Sequence, residues 1–592
     1  MLKFTNQTKE TRNQILFPIH KMKNHKIILS LCLILVLPAI SLFPSLKNDF
    51  VNWDDPKYVT ENKTITELSW SNIETIFDWT YMGHYHPLPL LSYALEYRFF
   101  KLNPFAYHLT NLILHLLNGL LVFWLIWMLT GGVWISLVVS LLFGIHPLHV
   151  ESVAWISERK DVLYAFFFLG SLIVYLIYLK TRRGRYYVLS LLLFFSSLLS
   201  KSMAVTLPLV LFLCDILFHR KMDRKCLIEK IPFLIIAFIF GIMALFAQGS
   251  PEALSQSPSS PVSQNISFLT KVLTTYFAKL LLISEILTSY LSKLILPIKL
   301  SCVYPYMKGP AGFWSYVYLT TIIGFLIAGI LLGKYNRKIT FGTLFFFITL
   351  LPVLPIKIVA DRYTYIPSIG IFLIAAEGFY WLYRSKLRSI KIAKPILLLL
   401  LIGILGTFSF LTWERCQVWK DSISLWNNVL KNYQDIPTAY NNLGEAYLRK
   451  GDYEKAISNY NQALKINPNY RKANYFFVNR GTAYHMKGDY EKAIADYQQA
   501  LRINPKDADA YHNRGTVYLK QGKFEAAIAD FNKALEINPK KAETYFYKAV
   551  ACEEMGRLQE ALISYQGFIE NVPPQYQNYI DHAKKRIREL SR

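Results

Sequence analysis

Asp54 and Asp55 stand side by side in Asn48-Asp49-Phe50-Val51-Asn52-Trp53-Asp54-Asp55-Pro56, just past the first long apolar segment. Adjacent carboxylates repel each other, can coordinate a cation, and one of them can serve as a base. The structural alternative for the pair is a solvated turn ahead of Pro56.

Three further groups have the residue types for phosphate chemistry. His146-Pro147-Leu148-His149-Val150-Glu151 runs on to Ser157-Glu158-Arg159-Lys160-Asp161. Lys201 sits in Leu199-Ser200-Lys201-Ser202-Met203, and Arg362 in Asp361-Arg362-Tyr363-Thr364-Tyr365. Arg suits phosphate by its planar fork, Lys as a point charge. Charges this close to hydrocarbon are rare unless they pair or work. The structural alternatives are snorkelling for Arg159, Lys160 and Lys201, pairing with Asp361 for Arg362, and plain hydrogen bonding for His146 and His149. No His, Cys and carboxylate spacing amounts to a metal motif, so the sequence leaves metal dependence open.

These residues need a scaffold, and composition points to a membrane. Of 592 residues, 53% are apolar, 15% aromatic and 18% charged. The charge is unevenly spread: 27–412 is mostly apolar runs, whereas 437–592 reads as a water-soluble sequence. The formal charge of +25 forms no single patch, which argues against nucleic acid. Six scattered cysteines show no metal-ligand spacing.

Spanning a bilayer takes about 20 apolar residues. Eleven spans are expected near 27–46, 106–130, 133–148, 162–180, 186–199, 203–218, 229–248, 313–333, 339–356, 366–384 and 395–412. Residues 87–100 and 267–296 carry charge within their apolar stretches and read as helices at the interface. Basic loops at 181–185, 219–225, 333–338 and 384–394 fall on one side with the N-terminal tail, 1–26, and that side should be cytoplasmic. The first span has a basic leader and no small-residue cleavage site, so it should be retained. The acidic pair, the basic clusters and the soluble part then face the extracytoplasmic (periplasmic or lumenal) side.

The soluble part repeats. Gly444, Gly481 and Gly515 occupy equivalent positions, with Ala549 in a fourth block. Gly451, Gly488, Gly522 and Gly556 follow, and Pro468, Pro505, Pro539 and Pro573 close the blocks. The period is 34 residues, except 37 between Gly444 and Gly481, where 474–478 is expected to hold an insertion. This is the tetratricopeptide (TPR) pattern. Residues 437–592 should form an α-solenoid of about four repeats, joined to the last span by a coupling helix and partial repeat over 413–436. Its groove should offer Asn441, Arg449, Tyr475, His512 and Lys520 to an extended protein or peptide. The fold class is therefore all-α: a polytopic membrane domain, 27–412, followed by a TPR solenoid.

An apolar first helix, an outer loop with a paired acid and a many-helix membrane domain resemble the GT-C glycosyltransferase plan. More closely, the chain resembles the transmembrane-and-TPR O-mannosyltransferases and their bacterial relatives. The resemblance is carried by 50–55, by His108-Leu109-Thr110-Asn111-Leu112-Ile113-Leu114-His115, by 146–151 with Arg159, and by 361–368. It implies a polyprenyl- or dolichyl-phosphate monosaccharide as donor and a hydroxyl, of protein Ser or Thr, as acceptor. Carried over, Asp54 or Asp55 is the catalytic acid nearest the acceptor, while Arg159, Lys160, Lys201 and Arg362 hold the donor phosphate. His146, His149 and Glu151 are auxiliary. The 249–312 region and the 37-residue spacing depart from the pattern. A non-catalytic membrane-anchored TPR scaffold for envelope assembly is the alternative. A transporter ranks last, since the charges gather at helix ends.

Overall fold

The computed structural model describes residues 25–78, 83, 85–248, 265–305, 312–355, 358–384, 393–466, 473–572 and 576–591. Most of the N-terminal tail, Pro468, Pro573 and parts of the 249–312 region lie outside these residues. Among the described residues all regular structure is helical. The chain divides into two units, Met1–Leu425 and Trp426–Arg592, at a point inside the expected 413–436 segment.

The principal helices of the first unit are α1 (His25–Leu42), α2 (Pro87–Phe100), α3 (Pro104–Thr130), α4 (Val133–Ile145), α5 (Arg159–Thr181), α6 (Gly184–Ser200) and α7 (Leu207–Leu217). They continue as α8 (Ile231–Gln248), α9 (Phe313–Leu332), α10 (Arg337–Leu350), α11 (Ser368–Arg384) and α12 (Ala393–Val418). The unit is that of a multi-pass membrane protein. Among the described residues six helical segments are long and apolar enough to cross a bilayer, or seven if the bent pair Val133–Ile145 and Pro147–Ala154 is one span. The eleven expected spans all fall on helices, but α6, α7, α10 and α11 have 17, 11, 14 and 17 residues, short of the usual span. Hydropathy sees apolar runs; it does not see where Pro147, Pro208 or a 3₁₀ turn breaks them.

The long helices differ in how much they hide. Only 11% of the apolar stretch of α8, and of α12, is buried, as in helices with most of their surface against lipid. α3 is 61% buried and forms the centre. α10 and α11 cross where Gly342 and Gly370 meet. A Cβ on either would run into the other's carbonyl, so only glycine permits this approach. That crossing sets the start of α11 and, with it, the Asp361–Thr364 turn.

The ends of the first and last helices are tied together. Asn48 Nδ2 donates to the Cys416 carbonyl at 3.0 Å, and the Asp49 N–H to the Lys420 carbonyl at 2.9 Å. The acidic loop and the exit from α12 therefore lie at one face of this unit.

The second unit is built of helix pairs: 437–449 with 453–466, 473–487 with 490–503, 508–520 with 524–537, and 542–554 with 558–571. A final helix, Gln577–Leu590, packs against the last pair. Gly488 shows the turn chemistry: its φ of +90° is open to glycine and strained for other residues. The expected insertion at 474–478 is instead part of the helix Ala473–Lys487. Asn474 and Phe476 are buried there, so packing extends the helix rather than looping it out.

Candidate active site

The acidic loop is held by short local bonds. Trp53 N–H donates to the Val51 carbonyl at 2.8 Å, and Tyr58 N–H to the Asp54 carbonyl at 3.0 Å. Trp53 meets Trp155 edge-on at 6.0 Å, and Trp155 stacks on Trp419 at 5.4 Å. An aromatic wall thus fixes the loop against the turn that opens α5.

The two aspartates do different things. Asp55 is buried, with Oδ2 accepting the Val51 N–H at 2.9 Å. Its Oδ1 accepts the N–H of Ser157 at 3.0 Å and the Ser157 hydroxyl as well. Burial pushes its carboxyl up to about 6, against the pull of these bonds. Asp54 is half-buried, and its carboxylate accepts no hydrogen bond among the described residues. Burial raises its pKa above the ordinary 3.8, opposed chiefly by Lys160.

Facing Asp54 is a cluster centred on Glu158, a residue whose central place the sequence of 157–161 does not by itself mark. Glu158 Oε1 lies 3.1 Å from Lys160 Nζ and 3.2 Å from Arg362 Nε, and Oε2 lies 3.6 Å from Lys201 Nζ. Arg362 also reaches Glu151 Oε1 at 2.5 Å, and Lys201 pairs with Asp161, whose other oxygen accepts the Ser152 hydroxyl at 3.0 Å. Rings cover the cations: Lys160 lies 5.1 Å from the Tyr58 centroid, Arg362 5.5 Å from that of Trp155, and Lys201 5.5 Å from that of Tyr363. Lys160, Lys201 and Arg362, distant in sequence, are one group. The signal in the sequence was the run Glu158, Lys160, Asp161, with alternating charges at a helix start.

Arg159 is not in that group. It is fully buried and points the other way, toward α2 and α3. Its Nε donates to Asn111 Oδ1 at 2.8 Å and Nη2 to the Tyr107 carbonyl at 2.8 Å, while Nη1 pairs with Glu96. Tyr93 and Tyr107 flank the guanidinium at 4.7 and 5.8 Å. The expected phosphate contact is corrected accordingly: consecutive helical residues point about 100° apart, so Arg159 cannot share the face of Lys160. Its bonds anchor the start of α5, which positions Glu158 and Lys160.

His146 and His149 are also structural. Nε2 of His146 lies 3.1 Å from the Leu294 carbonyl. His149 bridges the Phe143 carbonyl at 2.7 Å and Ser368 Oγ at 3.1 Å. Tyr365, bonded to His115 at 2.7 Å and Asn118 at 3.2 Å, pins the Arg362 turn to α3. Glu151 acts on the cluster only through Arg362. Among the described residues no three His, Cys, Asp or Glu side chains converge as a metal site requires.

In the second unit Tyr475, Arg449 and Lys520 are exposed, Arg449 pairing with Glu445 at 2.9 Å. Asn441 and His512 are buried, and their expected groove role is corrected. Asn441 accepts from Asn479 at 3.0 Å and His512 bonds Thr544 at 2.9 Å, so both join one repeat to the next.

Comparison with known proteins agrees with both units. Residues 437–470 and 508–541 match the tetratricopeptide repeat family, 481–522 a TPR repeat family, and 531–563 a third tetratricopeptide family. Protein O-mannosyl-transferase F38B6.6 of Caenorhabditis elegans is 24% identical over 465 residues, 74% of this chain and 63% of that protein. Protein O-mannosyl-transferase TMTC3 of Homo sapiens is 22% identical over 470 residues, 70% of this chain and 49% of that protein. TMTC2 of Homo sapiens is 30% identical over 260 residues, 39% of this chain and 31% of that protein. The chain thus spans from about a third to under two thirds of these relatives' lengths. It is similar, over about three quarters of its own length, to TMTC-type protein O-mannosyl-transferases, and carries a tetratricopeptide-repeat domain in its C-terminal part.

Proposed function

We propose that this protein is a glycosyltransferase that moves a monosaccharide from a polyprenyl- or dolichyl-phosphate donor to a Ser or Thr hydroxyl of a protein. The observation that carries this reading is the pairing of one unengaged carboxylate, Asp54, with three cations gathered on Glu158.

The reaction is an inverting displacement. The acceptor oxygen attacks the anomeric carbon, and the bond from that carbon to the phosphate oxygen breaks. The lipid phosphate leaves with the electron pair, and Asp54 takes the acceptor's proton. Lys160, Lys201 and Arg362 stabilise the charge on the departing phosphate, held in place beforehand by their carboxylate partners. Asp55 shapes the loop that presents Asp54. Arg159 holds the helix start.

Basic loops favour the cytoplasmic side, and this supports reading the N-terminus as cytoplasmic and Asp54 as facing the outer side. The tie between Asn48 and Cys416 supports the exit of α12 lying at the same face of the first unit as the acidic loop. The role we assign to the repeats is to bind the protein acceptor and raise its local concentration.

The test is transfer from a radiolabelled polyprenyl-phosphate sugar to protein in membrane vesicles. Wild-type activity that Asp54→Asn abolishes supports the reading. Transfer unaffected by Asp54→Asn removes the site assignment.

A further inference from the structure

A second buried ion network lies at the other end of α5. Glu158 and Lys160 stand at its start; Tyr175 and Tyr178 lie about 25 Å further along, at 1.5 Å per residue. Asp215 and Lys230, both fully buried, pair with each other, and Lys230 donates to the Tyr175 hydroxyl. Arg220 reaches Asp215 at 3.5 Å and Glu229 at 2.5 Å. Glu229 also accepts the Tyr178 hydroxyl at 3.0 Å, and Cys226 Sγ donates to Asp215 at 3.2 Å. Nothing in the transfer chemistry uses these residues.

What the network does is hold a hook, residues 218–230, against the ends of α5 and α7 and the start of α8. The hook is further stiffened by Asp223, which caps the Arg224–Ile228 turn by accepting the Cys226 N–H at 2.8 Å. Its outer surface has two components. Lys221, Arg224 and Lys225 are exposed and make no ion pair among the described residues. On the same short segment Met222, Leu227 and Ile228 are 48%, 47% and 53% exposed. Arg337 lies 2.9 Å from His219 and brings a second basic turn alongside.

Exposed apolar side chains beside unpaired cations, at the end of a membrane bundle, match one environment. The apolar groups enter the acyl boundary and the cations meet phosphates. A soluble polyanion would satisfy the cations but leave Met222, Leu227 and Ile228 in water. A loop that served only to orient the chain would need its charges but not a buried network to immobilise them. We propose that the 218–230 hook is a binding site for anionic phospholipid headgroups, in the leaflet remote from Asp54. The inference is independent of the transferase reading.

The test uses the full chain purified in detergent, with phosphatidylglycerol or phosphatidylcholine as probe, read by retained lipid in native mass spectrometry and by thermal unfolding. Wild type should retain phosphatidylglycerol over phosphatidylcholine and melt higher with it. The variant K221Q/R224Q/K225Q should lose about tenfold or more of the phosphatidylglycerol affinity while melting normally in phosphatidylcholine. The variant M222S/L227S/I228S, with its charges intact, should also bind more weakly. Equal retention of the two lipids, an unchanged affinity in either triple variant, or displacement of phosphatidylglycerol by millimolar inorganic phosphate overturns the proposal.

Discussion

One carboxylate oxygen of Asp55 accepts both the backbone N–H and the hydroxyl of Ser157. This bond joins the acidic loop after α1 to the turn that opens α5. It also distinguishes two identical neighbours: the Asp55 carboxylate is engaged by Ser157, and that of Asp54, the base in our proposal, accepts no hydrogen bond among the described residues.

Asp55→Asn should therefore be a stability variant. An amide cannot accept on both sides as the carboxylate does, and leaving a buried donor unsatisfied costs about 1–3 kcal/mol. Thermal unfolding in detergent should show a lower midpoint for Asp55→Asn. Asp54→Asn should melt like wild type and lose about 10²-fold or more of transfer. The reverse pattern would exchange the two roles.

Acidification should act on the two groups separately. Burial raises Asp54 above 3.8, and a base works only when deprotonated, so transfer should fall tenfold per pH unit on a limb lying above that value. Asp55 behaves differently. With its pKa raised to about 6, the folded state keeps a proton that the unfolded chain has already lost. Stability from this group is full below about 4 and is lost as pH rises toward about 6. Unfolding midpoints measured across that window should decline for wild type more than for Asp55→Asn.

Removing the fork of Arg362 should weaken donor use. Its guanidinium spans Glu151 and Glu158 at once, which an ammonium cannot do. Arg362→Lys should raise KM for the lipid donor or lower kcat by about 10- to 10²-fold, read from initial rates over donor concentration. Rates unchanged by this substitution would place the phosphate elsewhere.

Arg159 should matter to folding alone. Arg159→Met leaves Glu96 as an uncompensated buried charge, costing about 3–5 kcal/mol. Arg159→Met with Glu96→Leu should recover most of that loss, and donor KM in the double variant should match wild type. A raised KM there would return Arg159 to the donor site.

In the repeats, Gly488→Val places a β-branched side chain at a φ of +90° and should destabilise its unit by about 1–3 kcal/mol. Circular dichroism melts of the full chain should show the loss, and Tyr475→Ala, at an exposed position, should show none.

Some of this is legible in the sequence alone. The repeats are, because a 34-residue period with Gly and Pro at set offsets reports local geometry, and local geometry is written in neighbouring residues. The apolar character of 27–412 is too, since the bilayer reads composition. Helix length is not: among the described residues six long helices and several short ones share that apolar run, and length is decided by where prolines and 3₁₀ turns interrupt each helix.

The sequence by itself determined that an acidic pair, a basic helix start and two distant cations belong to a membrane protein with a tetratricopeptide domain. Only the tertiary structure decided which of them face one another. Asp54 and Asp55 have the same chemistry and differ only in what lies beside them. Lys160 and Arg159 are adjacent in the chain, yet the turn of the helix sends one to Glu158 and the other to Glu96. Glu158, Lys201 and Arg362 meet because α3 packs at the centre and Gly342 and Gly370 let α10 and α11 close on each other. Such contacts are set by distance in space, and distance along the chain carries no record of them.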